Sequence, residues 1–527
     1  MTPDFDSCYR AVRSRDARFD GRFFTAVTST GIYCRPICPS PTPLAANVRF
    51  YACAAAAEAA GFRACRRCHP EKAPGSPEWN IRADLSGRAL RLIAEGAVDE
   101  EGIGGLATRL KVSERHLHRA LVAEVGVGPL ALARTRRAQT ARLLIDQTNL
   151  PLTTISGAAG FTSIRQFNDT MRASFGCNPT ELRRGSEAPG GSGLTLRLPY
   201  RPPLDAAALL SYFGQRAVAG MEEVVDGRYR RTVALPRARG IIELELLADA
   251  DAVLLRLQLD DLRDLGPLVQ RCRGLLDLDA DPAVIGAALG ADPLLAPLVA
   301  ARPGLRVPGA IDGFELAVRA ILGQQVSVAG ARTLAGRLVT ALGEPLPEPR
   351  GALTHTFPTP ERVVGADLGG LGLTGGRVVA LGALAHAVTE KGLALDRGAD
   401  WERTVARLQE LPGIGPWTAS YIAMRALGDP DACPVADLGL RRALERRELA
   451  GDPKGVAARA EAWRPWRAYA THHLWASLAT PSTGHRRAID GHIATGRRAG
   501  RVASETRQAV GSETRQQSAP SGDRVGR

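Results

Sequence analysis

Leu411-Pro-Gly-Ile-Gly-Pro-Trp-Thr-Ala419 lies between two helical runs, and its reading decides the C-terminal half of the chain. A bare Gly-x-Gly would fit any tight turn between packed helices, but the whole nonapeptide is a helix-hairpin-helix signature. Its glycines, Gly413 and Gly415, let backbone N–H groups reach a phosphate without a side chain in the way. From 312 to about 479 the surrounding pattern is helical, with short Gly and Pro breaks. Eighteen residues beyond the motif stands Asp437, in Pro434-Val-Ala-Asp437-Leu-Gly-Leu-Arg-Arg. On its own, an Asp in that position reads as a helix N-cap. Trp417, Tyr421 and Trp475, taken singly, read as helix core.

Together with the hairpin, Asp437 resembles the catalytic aspartate of the helix-hairpin-helix DNA glycosylases, most closely the 3-methyladenine DNA glycosylase II (AlkA) group. Phe314-Glu-Leu-Ala-Val-Arg-Ala-Ile-Leu-Gly-Gln-Gln-Val-Ser-Val328 and Trp463-Arg-Pro-Trp-Arg-Ala-Tyr-Ala-Thr-His-His-Leu-Trp475 carry the same likeness. Strand-like runs at 194–198, 232–235, 241–247 and 253–259 match that group's extra N-terminal domain. The resemblance implies hydrolytic excision of N-alkylated bases. Such a base is already cationic and leaves readily, so the positive charge growing on the sugar is what must be stabilised. One fixed carboxylate, Asp437, would do this electrostatically or by orienting water. Trp417, Tyr421 and Trp475 match pocket positions, where their faces would favour a cationic flipped base. Trp417 stands where lyase-competent relatives carry a Schiff-base lysine, so the expected enzyme is monofunctional; no four-cysteine iron–sulfur pattern follows either. Gln325 occupies the place where some relatives insert an apolar wedge into DNA, and Gly413 and Gly415 would meet the backbone.

At the other end, Cys34-Arg-Pro-Ile-Cys38 and Cys65-Arg-Arg-Cys68 supply two short-spaced thiol pairs. Four thiolates suit tetrahedral Zn2+, and by spacing alone a structural zinc knot fits. Cys8 and Cys53 read as small buried hydrophobes. Tyr33-Cys34-Arg35-Pro36 with Phe62-Arg63-Ala64-Cys65-Arg66-Arg67-Cys68 resembles the methyl-acceptor domain of the Ada regulators. That likeness implies irreversible transfer of a methyl group from a DNA methyl phosphotriester to Cys34, with Cys34, Cys38, Cys65 and Cys68 as the metal ligands. Four thiolates around a dication carry a net charge of about −2, and methylating one leaves about −1, which eases approach to phosphates. No Pro-Cys-His-Arg motif of the kind used for guanine O-alkyl reversal is present.

Between these ends, 103–110 and 114–122 flank Lys111-Val-Ser, and 152–159 and 163–175 flank Gly160-Phe-Thr, giving two helix-turn-helix units. Ser163 with Gln166 is a capping-box signature. Arg115, His116, His118 and Arg119, and in the second unit Arg165, Gln166 and Asn168, would face a major groove, unless they form ordinary solvated helix faces. Gly160-Phe161-Thr162-Ser163-Ile164-Arg165-Gln166-Phe167-Asn168 with Phe175-Gly176-Cys177-Asn178-Pro179 is similar to the AraC-type signature. Gly157 inside a helix should cost about 1 kcal/mol, and Met171 stands where such motifs often carry a basic residue.

The 527 residues carry a net charge of +13, of which +9 falls within 1–185; this suits a phosphate-bearing partner. Nine cysteines, without a signal-like start or a bilayer-length apolar run, suggest a cytoplasmic chain with metal or thiol chemistry. The expected fold is multidomain α+β. It comprises a small zinc-binding Ada module (1–76), an all-α tandem helix-turn-helix domain (80–185), a linker (186–193), a small β-rich N-terminal glycosylase domain (194–310), an all-α helix-hairpin-helix glycosylase domain (311–480) and a disordered tail (481–527) in which Ser-Glu-Thr-Arg-Gln occurs twice. The expected partners are double-stranded DNA, alkylated or promoter, and RNA polymerase, with the chain a monomer and no membrane contact. An alternative is a methylation-gated transcription factor whose glycosylase-like half only binds DNA.

Overall fold

The computed structural model describes residues 4–75, 84–184, 194–247 and 250–478; the linker and tail expected from sequence lie outside the described residues. Multidomain α+β architecture is what the chain adopts. The first segment builds a four-stranded sheet in the order Val48–Tyr51, Phe24–Val27, Ile32–Cys34, Arg63–Ala64. All its pairings are antiparallel except the last, where Ile32 and Tyr33 run parallel with Arg63 and Ala64. That parallel register carries the next residue of each strand, Cys34 and Cys65, side by side, with Cys65 N–H donating to the Tyr33 carbonyl at 3.0 Å.

Helices follow. Glu114–Val125 and Ile164–Phe175 begin at Ser113 and Ser163, whose hydroxyls accept from His116 N and Gln166 N at 3.2 Å each. The reciprocal half of the expected capping box is diverted: Gln166 Oε1 accepts from the Thr162 hydroxyl at 3.3 Å. The helix before the first turn is longer than its sequence pattern, Ala97–Leu110, and bends where Gly102 leaves helical geometry. Gly157 sits one residue from the end of Leu152–Ala158, so the interior-glycine cost expected from sequence does not apply. Met171 is fully buried, which explains an apolar residue at that position. Pro129–Gln147 links the two units and buries Ala138, Ala141, Leu144 and Ile145.

A five-stranded antiparallel sheet comes next, in the order Leu194–Pro199, Ala252–Leu259, Arg239–Leu247, Arg228–Ala234, Glu222–Val225. The last of these strands, Glu-Glu-Val-Val, has no alternation and was invisible to pattern reading. Helix Ala206–Arg216 packs beside it, with Gly214 against Val224. The C-terminal segment is helical, as expected, with one departure: Pro345–Arg350 pairs with Leu353–His355 as a hairpin. Three prolines bar a helix there, and Leu346 and Leu353 bury themselves against Ile241 of the large sheet.

One apolar core joins the first three of these segments, running from Phe24 and Tyr33 through Leu144 and Phe167 to Leu196, Val253 and Leu268. Polar contacts add to it. Arg201 Nη2 donates to the Asp20 carbonyl at 2.6 Å, Arg91 Nε to the Arg397 carbonyl at 2.6 Å, and Arg109 pairs with Asp396 at 2.9 Å.

Candidate functional sites: a thiol cluster and an aromatic cavity

Cys34 ends its strand, Cys38 follows in the next turn, and Cys65 and Cys68 leave the paired strand, so all four sulfurs lie within 4.8 Å of one another. Cys65 and Cys68 are buried, whereas Cys34 and Cys38 stay partly exposed. Backbone N–H groups of Arg35 and Arg67 donate to Cys68 Sγ at 3.3 Å and Cys65 Sγ at 3.4 Å. Arg35 itself is clamped: its guanidinium pairs with buried Asp20 and donates to the Cys68 carbonyl at 3.2 Å. Protons are unevenly shared in such a cluster. The Cys34 thiol draws Cys38 down to about 6, while hydrogen bonding with Cys38 pushes Cys34 up. Four sulfurs this close hold charge together only around a cation, and four soft donors in tetrahedral proximity fit Zn2+. The cluster is the chain's zinc site.

The second site is a cavity of about 360 Å³ lined by Trp417, Tyr421, Trp475 and Asp437, together with Tyr212 from the helix beside the large sheet. Asp437 does cap the helix Leu438–Glu445, its Oδ1 accepting from Leu440 N at 2.8 Å. It does more than cap. Trp475 Nε1 donates to Oδ1 at 2.7 Å and Trp417 Nε1 donates to Oδ2 at 2.8 Å. Trp417 also stacks on Tyr421, with centroids 5.3 Å apart and 9° between planes, and Tyr421 leans on Trp475 at 6.4 Å. The two indoles are therefore both cavity wall and carboxylate holders, a second role that spacing alone did not reveal. Gly439 makes this possible: a Cβ there would lie 2.8 Å from Asp437 Oδ1 and 2.9 Å from the Trp475 ring. Gly439→Ala should therefore cost about 1–3 kcal/mol and, by dislodging Trp475, slow any reaction at Asp437 about tenfold. A thermal melt alongside an activity assay checks this.

Gly413 has φ +78 and lies 2.9 Å, measured from an added Cβ, from Ala380, so the hairpin turn admits only glycine there. Gly415 caps the helix Pro416–Ile422 without a side chain and faces open space. Gln325 is exposed in the turn after Gly313–Leu322, with φ +54, a left-handed conformation costly for a non-glycine. Its neighbour Gln324, which sequence reasoning passed over, ties that turn to the hairpin. Gln324 Nε2 donates to the Gly413 carbonyl at 2.8 Å and to Thr418 Oγ1 at 2.9 Å. Gln324 thus ties the turn that carries Gln325, next to the cavity-lining Val326, to the hairpin turn at Gly413.

Arg115 and Arg119 are exposed on Glu114–Val125, and Arg165 and Gln166 on Ile164–Phe175. Arg165 lies 3.9 Å from Asp169 with both side chains largely in solvent, a pairing weak enough to yield to another partner.

A zinc-ligating thiol cluster, paired helix-turn-helix units and a cavity built round a fixed aspartate behind a helix-hairpin-helix define a multidomain DNA-binding repair protein. Residues 7–71 match the metal binding domain of Ada, 106–185 a helix-turn-helix domain, 195–312 the AlkA N-terminal domain, and 318–468 the HhH-GPD superfamily base excision DNA repair protein. A Mycobacterium tuberculosis protein described as a probable bifunctional transcriptional activator/DNA repair enzyme AlkA is 52% identical over 487 residues, covering 91% of this chain and 98% of its own. DNA-3-methyladenine glycosylase 2 of Escherichia coli is 37% identical over 53% of this chain and 95% of its own, and the E. coli bifunctional activator/repair enzyme Ada is 35% identical over 34% and 50%. The chain belongs to the family of bifunctional transcriptional activator/DNA repair enzymes that join Ada and AlkA domains. DNA is its partner, and among the described residues no helix is long and apolar enough to cross a membrane.

Proposed function

We propose that the chain repairs alkylated DNA in two ways and regulates the response: Asp437 supports hydrolytic excision of bases such as 3-methyladenine, and Cys34 accepts methyl groups from DNA methyl phosphotriesters. What carries the excision reading is the hydrogen bonding of Asp437. A carboxylate offers about four lone-pair directions, and Trp475, Leu440 and Trp417 occupy three. The remaining direction, on Oδ2, is left for a water or for the charge developing on the sugar as the glycosidic bond breaks. Gln325 would fill the gap left by the flipped nucleotide, and N–H groups about Gly413 and Gly415 would hold the backbone. Trp417, Tyr421 and Trp475 would face the base.

In the transfer reaction, Cys34 Sγ attacks the methyl carbon, the C–O bond breaks, and its electron pair stays on the phosphate as a diester anion. Bound at Cys34, Cys38, Cys65 and Cys68, Zn2+ keeps those sulfurs as thiolates at neutral pH. Arg115, Arg119, Arg165 and Gln166 would read promoter bases, with RNA polymerase the partner in activation. We place the working units at 1–76, 80–185, 194–310 and 311–480, in a monomeric cytoplasmic protein. The test is release of free bases from methylated duplex DNA. Release by the intact chain establishes the glycosylase, and no release from DNA that it demonstrably binds overturns it in favour of a methylation-gated regulator.

A further inference from the structure

A short turn, Gly323 to Ser327, separates the helix Gly313–Leu322 from Val328–Leu342, and Gln325 at its centre takes φ +54. The two consecutive glutamines part there: Gln325 is exposed, while Gln324 turns its amide to the hairpin. A carbonyl oxygen only accepts, so the NH2 end of Gln324 must face the Gly413 carbonyl, 2.8 Å away. Its other proton goes to Thr418 Oγ1 at 2.9 Å. Both amide protons are thereby used.

The same turn is fixed from behind. Arg377, on the helix Gly375–Thr389, donates to the Gln324 backbone carbonyl. Ala380 of that helix lies against the hairpin turn, 2.9 Å from where a Cβ on Gly413 would sit. One helix therefore backs both turns, and the Gln324 amide closes the space between them. Thr418, the second acceptor, is buried and follows Trp417, whose indole holds Asp437. Gln324 thus joins the turn bearing Gln325, the turn bearing Gly413 and the helix that carries Trp417.

Flipping a nucleotide out of a duplex needs the strand held on its backbone while the vacated gap is filled. A turn free to drift would be ordered only as it entered the DNA, and that ordering would oppose insertion. We infer that Gln324 is a positioning residue for nucleotide flipping, which presets the Gln325 turn against the phosphate-holding turn at Gly413; this rests on the base-excision reading above. Gln324 acts through Gln325, since its own protons are spent within the protein.

The test is single-turnover release of 3-methyladenine from methylated duplex DNA by saturating full-length protein. Gln324→Ala should slow release about tenfold, the cost of ordering roughly one backbone residue. Gln324→Glu keeps the shape but turns an oxygen on the Gly413 carbonyl, and should be slowed as much. Gln325→Ala should also be slow. Gln324→Ala/Gln325→Ala should be no slower than Gln325→Ala, because with that side chain gone the tie has nothing left to position. A duplex with 2-aminopurine beside an abasic analogue reads insertion by fluorescence, with no base to release, and its gain on binding should drop in Gln324→Ala. Defects that multiply in the double variant, a full fluorescence gain in Gln324→Ala, or unslowed release by any single variant overturns the inference and leaves base excision standing. No release by the unmodified chain from DNA that it binds overturns both.

Discussion

Asp437→Asn should slow release of 3-methyladenine from duplex DNA by about 10²–10³-fold, the usual loss on removing one preorganised charge-stabilising group. Asparagine preserves the shape of the side chain and removes its charge, and the local geometry adds a second penalty. An amide has one oxygen, and the three N–H donors around Asp437 need two. If the Asn oxygen keeps Leu440 N and Trp475 Nε1, its NH2 group faces the Trp417 N–H at a 2.8 Å spacing, donor against donor. Flipping the amide moves the conflict to Leu440 and Trp475. Stability should therefore fall by about 1–2 kcal/mol, far less than the effect on rate. Duplex affinity should stay within a few-fold, because Gly413, Gly415 and Gln325 are untouched. Single-turnover base release measured beside a binding titration checks both limbs. A variant retaining a third or more of the intact rate would remove Asp437 from the chemistry.

Much of this was legible in the sequence for physical reasons. Two thiol pairs with short spacings, a glycine-rich turn between helices and an Asp at a helix start are local patterns, and chain geometry preserves them in the fold. Asp437 as an N-cap and Asp437 as the centre of a cavity were offered as alternatives, and it caps the helix and lines the cavity at once. What the sequence hid is contact across long separations. The indole bonds to Asp437 span 20 and 38 residues, and the Tyr212 to Arg425 contact spans 213. Buried Glu222 lies on a strand without alternation, tied to Tyr229, Arg231 and Arg319. That network adds to the strand's backbone pairing with Arg228–Ala234 and the packing of Val224, so a strand forms where periodicity gave none. Gln324 escaped notice beside Gln325 because only tertiary structure shows which amide turns inward to the hairpin.

Cys34→Ala should abolish methyl acceptance, and here the expected effect is all or none because each chain reacts once. Cys34 and Cys38 are partly exposed; Cys65 and Cys68 are buried and accept N–H bonds from Arg67 and Arg35. All four sulfurs share one cluster, and the resemblance to the Ada methyl-acceptor domain points to Cys34 among them. Peptide mass spectrometry after incubation with methylated DNA should find one added methyl on the peptide bearing Cys34 in the intact chain and none in Cys34→Ala. Cys38→Ala is the matched control, since it too removes one ligand from the zinc site. If loss of a ligand alone explained the defect, the two variants would fail alike, whereas an acceptor role leaves the control with a methylated Cys34. A methyl group found on Cys38 would reverse the assignment. The methylated intact chain should also bind DNA about fivefold more tightly at low salt, since one negative charge near a phosphate is worth about 1 kcal/mol in water. That gain should shrink as salt is raised, because screening acts on the repulsion being relieved. A gain that held constant with salt would point instead to a rearrangement at the DNA surface.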